Sequence, residues 1–109
     1  MSYIDGFVLP VPKKNLAAYR ALPRKAGKIW MEYGALAYFE GWGDDVPPGK
    51  VTSYDKSVKL KPDETVVFSY IVYKSRKQRD SINKKVMADP RLAGMDPKKM
   101  PFDGKRMMW

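Results

Sequence analysis

The sequence predicts an α+β fold in which two helices cover one face of a small antiparallel sheet. The strongest sign is the segment 65–73, TVVFSYIVY, in which both alternating sets of side chains are largely apolar. A strand with one face in water alternates apolar and polar residues, so this strand is expected to be central and covered on both faces. Only two longer segments show the apolar spacing of helices, enough to cover one face. We therefore expect a second copy of the chain to cover the other.

Composition limits the classes of function that are open to the chain. At 109 residues we expect a single domain over 1–109. Cysteine and histidine are both absent, which excludes disulfides, cysteine nucleophiles and Ser-His pairs, and removes the commonest metal ligand. We expect no metal and no other cofactor. The first residues lack a signal-peptide pattern and no stretch is long enough to span a bilayer, so we expect a cytoplasmic protein without a membrane partner.

The net charge of +9 raises the question of an acidic partner, but 15 of the 21 cations are lysine, the usual solvated surface cation. The segment 68–73 resembles part of an RNA-recognition motif. Val66 and Val67 stand where that motif has a basic residue and a glycine. Nucleic acid is therefore not the expected partner.

The first half of the chain predicts a strand, a helix and a second strand. Residues 3–10 alternate in the manner of a strand, which Pro10 and Pro12 should end. A helix is predicted over 13–33, with a kink or a break at Pro23 and a stop at Gly34. The segment 35–42, ALAYFEGW, predicts the second strand.

A long polar connection over 43–64 follows, with a short extra strand or an arm on a partner as alternatives. Its expected anchors are Val51, Tyr54, Val58 and Leu60.

Beyond the central strand, Ser75 and Gln78 have the spacing of a capping box and open a second helix, which Asp89 and Pro90 should end. Its predicted apolar contacts are Ile82, Val86 and Met87. A short turn over 91–95 and a loop over 96–104 should follow. The segment 105–109 then predicts a fourth strand.

The resulting βαββαβ order predicts an antiparallel sheet with both helices on one face and the first and third strands in the middle. Side-chain size suggests which face the helices cover. The smaller sets, Ile4/Gly6/Val8 and Ala35/Ala37/Phe39, should leave room for helices. The aromatic and charged sets, Tyr3/Asp5/Phe7, Tyr38/Glu40/Trp42 and Phe68/Tyr70, should face away from them.

Five separated segments, YIDGFVLPVP, GDDVPPGKVTS, VVFSYIVYKS, KVMADPR and MPFDGKRM, together resemble the YbaA-like family, bacterial proteins of unknown function. The resemblance covers nearly the whole chain. It implies a ferredoxin-like fold that pairs face to face as a dimeric α+β barrel. It supplies no catalytic residue.

The candidate site residues are those expected on the face away from the helices, where they would line a cleft or an interface between copies: Asp5, Phe7, Tyr38, Glu40, Trp42, Phe68, Tyr70 and Arg106. The two carboxylates could act as acid or base if they are half-buried. The alternative is structural: each carboxylate pairs with Lys105 or Arg106 on a neighbouring strand, or faces water at an edge. Glu64, in contrast, is expected to be an ordinary surface carboxylate.

Two functions remain open from the sequence. The first is a homodimer that binds a small organic molecule or has a structural, stress-related role. The second is a cofactor-independent enzyme, with Asp5 or Glu40 as base, Arg106 stabilising negative charge, and Tyr38 and Tyr70 orienting the substrate.

Overall fold

The structure, a computed structural model, describes residues 2–93 and 100–109 and is an α+β fold, as predicted. No helix in these two ranges is long and apolar enough to cross a membrane. The elements in chain order are β1 (Tyr3–Pro12), α1 (Leu16–Glu32), β2 (Ala37–Trp42), α2 (Tyr54–Ser57), β3 (Glu64–Tyr73), α3 (Arg76–Met87) and α4 (Pro90–Ala93), with single 3₁₀ turns at Lys13–Asn15 and Gly104–Arg106.

The strands form one antiparallel sheet in the order β1-β3-β2, so the predicted central position of β3 is confirmed. β3 pairs with a neighbour along both edges. Ser69 lies opposite Phe7 of β1 and Glu40 of β2, and Tyr70 lies opposite Gly6 and Phe39. Because side chains alternate along each strand, these pairs determine which residues share a face of the sheet.

The predicted strand over 105–109 is wrong. Its first residues belong to the 3₁₀ turn, because the Asp103 carboxylate accepts a hydrogen bond from the Lys105 N–H at 3.0 Å and curls the chain. Only Met108 pairs with the sheet, through one antiparallel bridge to Val8 on the outer edge of β1. The turn over 91–95 corresponds in part to α4. Residues 94–99, which include the start of the loop predicted over 96–104, lie outside the described part.

β1 continues through Pro10 to Pro12, past its predicted end. The N–H and C=O of Val8 both point outward, to Met108. Pro10 and Pro12 follow at steps of two, so their nitrogens also point away from β3. Proline lacks an N–H, and here no hydrogen bond with the central strand is lost.

α1 is one helix with Pro23 inside it, so the predicted break does not occur. Pro23 removes a single backbone donor. The helix is held to the sheet on both sides of this point by the buried side chains of Tyr19 and Ile29. The predicted stop at Gly34 is confirmed, since Gly34 has a φ of +111° that other residues rarely adopt.

Both long helices lie on the same face of the sheet, as predicted. Ile29 of α1 and Ile82 and Val86 of α3 are buried in one cluster with Ile71 and Tyr73 of β3. The predicted cap of α3 is also confirmed: the Ser75 hydroxyl accepts a hydrogen bond from the Gln78 N–H at 3.2 Å. Met87, predicted as a helix contact, is largely exposed.

The prediction of which side chains face these helices is wrong for β1 and β2. The helix-covered face carries the larger set, including Asp5, Phe7, Tyr38, Glu40 and Trp42. The size of the strand side chains did not predict which face the helices cover, because Gly27 of α1 leaves space for a large ring on the strand. A Cβ on Gly27 of α1 would lie 2.9 Å from the Tyr38 ring, so only glycine allows this approach.

All residues of the connection over 43–64 are described, and it contains α2 and no extra strand. Val58 is its main anchor and is buried against Val8 and Val66. Tyr54 contacts the Phe68 ring, with the ring centroids 6.1 Å apart. Val51 is 93% exposed and is not an anchor.

Arg106 joins this connection to the C-terminal segment. It forms two hydrogen bonds with the Glu64 carboxylate, at 2.7 and 2.6 Å, and donates to the Lys59 carbonyl at 3.0 Å. The predicted pairing of Arg106 with Asp5 or Glu40 is therefore wrong, and Asp5 pairs with Arg79 at 2.9 Å. Glu64 is buried rather than a surface carboxylate.

We expect Arg106→Met to lower the free energy of unfolding by about 3 kcal/mol, because it leaves the buried Glu64 carboxylate without its counter-charge. Hydrogen bonds from Arg106 hold the pKa of Glu64 below its usual value. This stabilisation is therefore present above about pH 4.5 and is lost as the pH falls further.

Urea denaturation at pH 7 and at pH 3.5 measures the effect, with the exposed neighbour Lys105→Met as control. The control should change stability by less than about 0.5 kcal/mol. If Arg106→Met and Lys105→Met lose equally little stability, the ion pair is not a significant tie.

Candidate functional site

A cavity of about 350 Å³ lies between the sheet and α1 and is the candidate functional site. Its lining is mostly apolar, which is typical of pockets for small organic molecules. Five aromatic side chains form much of the wall: Phe7, Tyr19, Trp30, Tyr38 and Phe102.

Two periodicities bring these side chains together. Along α1, Tyr19, Leu22, Ala26 and Trp30 recur at steps of three and four, so one side of the helix faces the cavity. Along β2, alternation places Tyr38 and Glu40 on the same face of the sheet. The Tyr19 ring also meets Phe102 edge-on, with centroids 5.7 Å apart, and both rings line the cavity.

Glu40 is the one charged side chain among the described residues that line the cavity. The Tyr19 hydroxyl donates to both carboxylate oxygens, and each distance is 3.2 Å. These contacts are long compared with the usual hydroxyl–oxygen distance of about 2.7 Å. Ser69, buried on β3, is the neighbour of Glu40 across the sheet.

Burial raises the pKa of Glu40 to about 7, and the hydroxyls of Tyr19 and Tyr38 offset only part of this effect. Burial is also the main cause of the raised pKa values of Tyr19 and Tyr38, with a further contribution from the Glu40 charge. Both tyrosines are therefore neutral at pH 7. Glu40 exchanges a proton near neutrality, which suits a group that transfers protons or binds a charged partner.

Glu40 also reaches a smaller surface cleft of about 240 Å³. Tyr38 and Pro23 border both spaces, so the carboxyl lies where the interior meets the outer cleft. Arg20 and Arg24 of α1 also line this cleft.

The structure brings together only some of the candidate residues predicted from sequence. Phe7, Tyr38 and Glu40 meet at the cavity, and Trp42 borders the outer cleft. Asp5 lies on the same face but pairs with Arg79.

The remaining candidates lie elsewhere, since Phe68 and Tyr70 are on the opposite face of the sheet and Arg106 binds Glu64. The predicted enzyme site that combined Arg106 and Tyr70 with Glu40 is therefore not assembled.

Sequence reasoning missed Tyr19, Trp30, Ser69 and Phe102. Tyr19 and Trp30 belong to the apolar stripe of the first predicted helix, where they resemble core residues. Ser69 gave a signal, as a hydroxyl in an otherwise apolar stretch. Among the residues that the structure describes, no group of three or more acidic side chains is arranged to hold a metal ion.

These features define a class: a small α+β protein with an aromatic cavity between sheet and helix that contains one carboxyl. Residues 2–104 match the family model described as "Protein of unknown function (DUF1428)". The chain therefore belongs to this family, which confirms the YbaA-like resemblance.

The relatives include proteins named "Uncharacterized protein YbaA" from Escherichia coli K12, Escherichia coli O157:H7 and Shigella flexneri. Each is 48% identical over 109 residues, which span all of this chain and 92% of the relative.

We expect Glu40→Gln to stabilise the protein above pH 7. The unfolded carboxyl has the ordinary pKa of 4.5, whereas the folded one has a pKa of about 7. The Glu40 contribution to stability therefore falls as the pH rises through this window and is level above it. Glutamine cannot ionise, so the variant does not undergo this loss.

Thermal denaturation between pH 4.5 and 8 measures both proteins, with the exposed Asp63→Asn as a matched carboxylate-to-amide control. The gap between Glu40→Gln and the parent should widen with pH, and the control should run parallel to the parent. Parallel curves for all three would mean that Glu40 ionises as freely as a surface acid.

Proposed function

We propose that the protein binds a small organic molecule in the cavity, with an apolar body against the aromatic wall and one polar group at Glu40. The carboxyl carries this proposal. A carboxyl that is half-buried costs folding free energy unless it is paired, and no ion pair to Glu40 forms within the described residues. Folding alone would be better served by an apolar side chain, so a ligand is the simplest reason for the acid.

The shape of the site supports the same proposal. Native cores leave few voids larger than a water molecule, because an unfilled apolar cavity costs stability. A space of about 350 Å³ is at the lower end of the sizes that hold small ligands. The cavity shares Pro23, Tyr38 and Glu40 with the cleft that Arg20 and Arg24 line, and this cleft would be the path for entry.

Proton-transfer catalysis on such a molecule is the second candidate. The observation that favours it is the pKa of Glu40 near 7, which is suited to a general base at neutral pH. In this version Tyr19 and Tyr38, both beside the carboxyl, orient the substrate. Arg106 and Tyr70 take no part because they lie elsewhere.

We also propose that the chain is a homodimer in which the uncovered faces of two sheets meet, as in a dimeric α+β barrel. On this face Ile4, Phe39 and Phe68 remain 57%, 53% and 43% exposed. Phe39 and Phe68 contact Tyr70, with ring centroids 5.1 and 5.8 Å away, so they form one aromatic surface. Burying such a surface is favourable. Met108 bridges to the outer edge of β1, where a ferredoxin-like sheet has its fourth strand, and this supports a shortened topology of that kind.

Two glycines fit this assembly. Gly6 lies opposite Tyr70 and Gly41 lies opposite Phe68 on the uncovered face. A Cβ on Gly6 would touch nothing within 4 Å, so packing inside one chain does not require glycine there. In a face-to-face dimer the gap would receive an aromatic ring of the partner. The cytoplasmic location stays a prediction from composition.

We expect Ala26→Phe to abolish binding of tryptophol, an indole alcohol used as a neutral probe, because its ring fills the cavity. The matched control Ala21→Phe adds the same ring to an exposed position of α1 that does not line the cavity.

Calorimetric titration should show saturable binding to the parent and to Ala21→Phe, and none to Ala26→Phe. Circular dichroism checks that both variants are folded. Equal binding to all three would place the probe outside the cavity.

We expect Tyr70→Lys to convert the dimer to a monomer, because it puts an unpaired charge into the apolar interface. Ser81→Lys adds the same charge on the exposed side of α3 and should leave the dimer intact. Light scattering after size exclusion gives the mass of each.

A parent protein that is itself a monomer would contradict the assembly. Salt-sensitive RNA binding that Phe68→Ala removes would instead make the uncovered face an RNA platform.

A further inference from the structure

Glu40 differs from the other carboxylates that are turned away from solvent. Glu64 is paired with Arg106 at 2.6 Å, Asp89 with Arg91 at 2.9 Å and Asp5 with Arg79 at 2.9 Å. Among the described residues, Glu40 receives the Tyr19 hydroxyl at 3.2 Å, and the Tyr38 hydroxyl lies beside it. Within the described ranges this half-buried acid therefore has neutral partners and no ion pair, and it lines the cavity.

The walls around Glu40 have the chemistry that attracts a cation. The face of an aromatic ring carries partial negative charge and attracts ammonium groups, most strongly where water is excluded. The Tyr19 and Tyr38 rings border the carboxyl, and the Trp30 ring lies 6.2 Å from that of Tyr38. A carboxylate among aromatic rings combines an ion pair with cation–π attraction.

We propose that the natural ligand of the cavity is an organic amine: an aromatic or apolar body with one ammonium group that pairs with Glu40. This inference rests on the proposed small-molecule function and names its ligand class. An anionic ligand would be repelled by Glu40, and the described lining of the cavity offers it no cation.

The pH dependence of binding follows from the groups that face Glu40. Tyr19 and Tyr38 are neutral at pH 7, and their raised pKa values keep them neutral at higher pH. Arg20 and Arg24 are the arginines that line the neighbouring cleft. Glu40 is thus the group that changes charge, at about pH 7. Amine affinity should rise with pH up to this value, by as much as tenfold per unit, and then level off.

Three probes with the same indole body test the inference by calorimetry at pH 8: tryptamine with an ammonium, tryptophol with a hydroxyl and indole-3-acetate with a carboxylate. We expect tryptamine to bind at least tenfold more tightly than tryptophol, and indole-3-acetate more weakly than either. The net charge of +9 disfavours a cation at long range, so a preference for the amine must come from the site itself.

Glu40→Gln keeps the shape of the side chain and removes its charge. In this variant tryptamine and tryptophol should bind with equal affinity, and the tryptamine affinity should lose its pH dependence. Asp63→Asn, at an exposed position, should leave all three affinities unchanged.

Two failures are distinguishable. Tryptophol binding in the cavity without a preference for tryptamine, or a preference for indole-3-acetate, overturns the amine assignment and leaves the small-molecule proposal standing. Absence of binding by all three probes overturns both.

Discussion

The pairing of β3 along both of its edges is the constraint on which the rest of the structure depends. The antiparallel register sets Ser69 between Phe7 and Glu40, and every other residue on that face follows at steps of two. One face thereby receives Tyr38, Glu40 and Ile71, and the helices close over it. A shift of one residue in either register would exchange the two faces.

The helices do not contact this face of the sheet evenly, and the cavity lies where the contact is incomplete. α1 comes close at Gly27, where the Tyr38 ring leaves no space for a side chain. α3 buries Ile82 and Val86 against β3 and fills the other end. The cavity that Glu40 lines lies between these two contacts. The same placement of the helices therefore produces both the tight packing and the cavity.

Charge is distributed according to the same geometry. Bidentate pairing of Arg106 with Glu64 fixes the connection to the C-terminal segment, where the two charges compensate each other. Within the described part of the chain Glu40 has hydroxyl partners and no ion pair, and it keeps a pKa of about 7. The first acid is structural, and the second is the one that we propose binds a ligand, although both belong to strands of one sheet.

Local sequence alone determined the α+β class, the central place of β3, the Ser75 cap and the stop at Gly34, because these depend on nearest neighbours and on short apolar periods. Tertiary structure decided what depends on distant partners. The large side chains of β2 face the helices because Gly27 leaves space for the Tyr38 ring. Arg106 pairs with Glu64, which lies 42 residues away in the chain. The C-terminal segment forms a turn and contributes a single bridge to the sheet.

Glu40 was visible in the sequence as an acid inside a strand. Its neighbours Tyr19 and Trp30 could not be told from ordinary core residues, since periodicity reports which side of a helix is apolar and not whether that side meets another surface or a cavity.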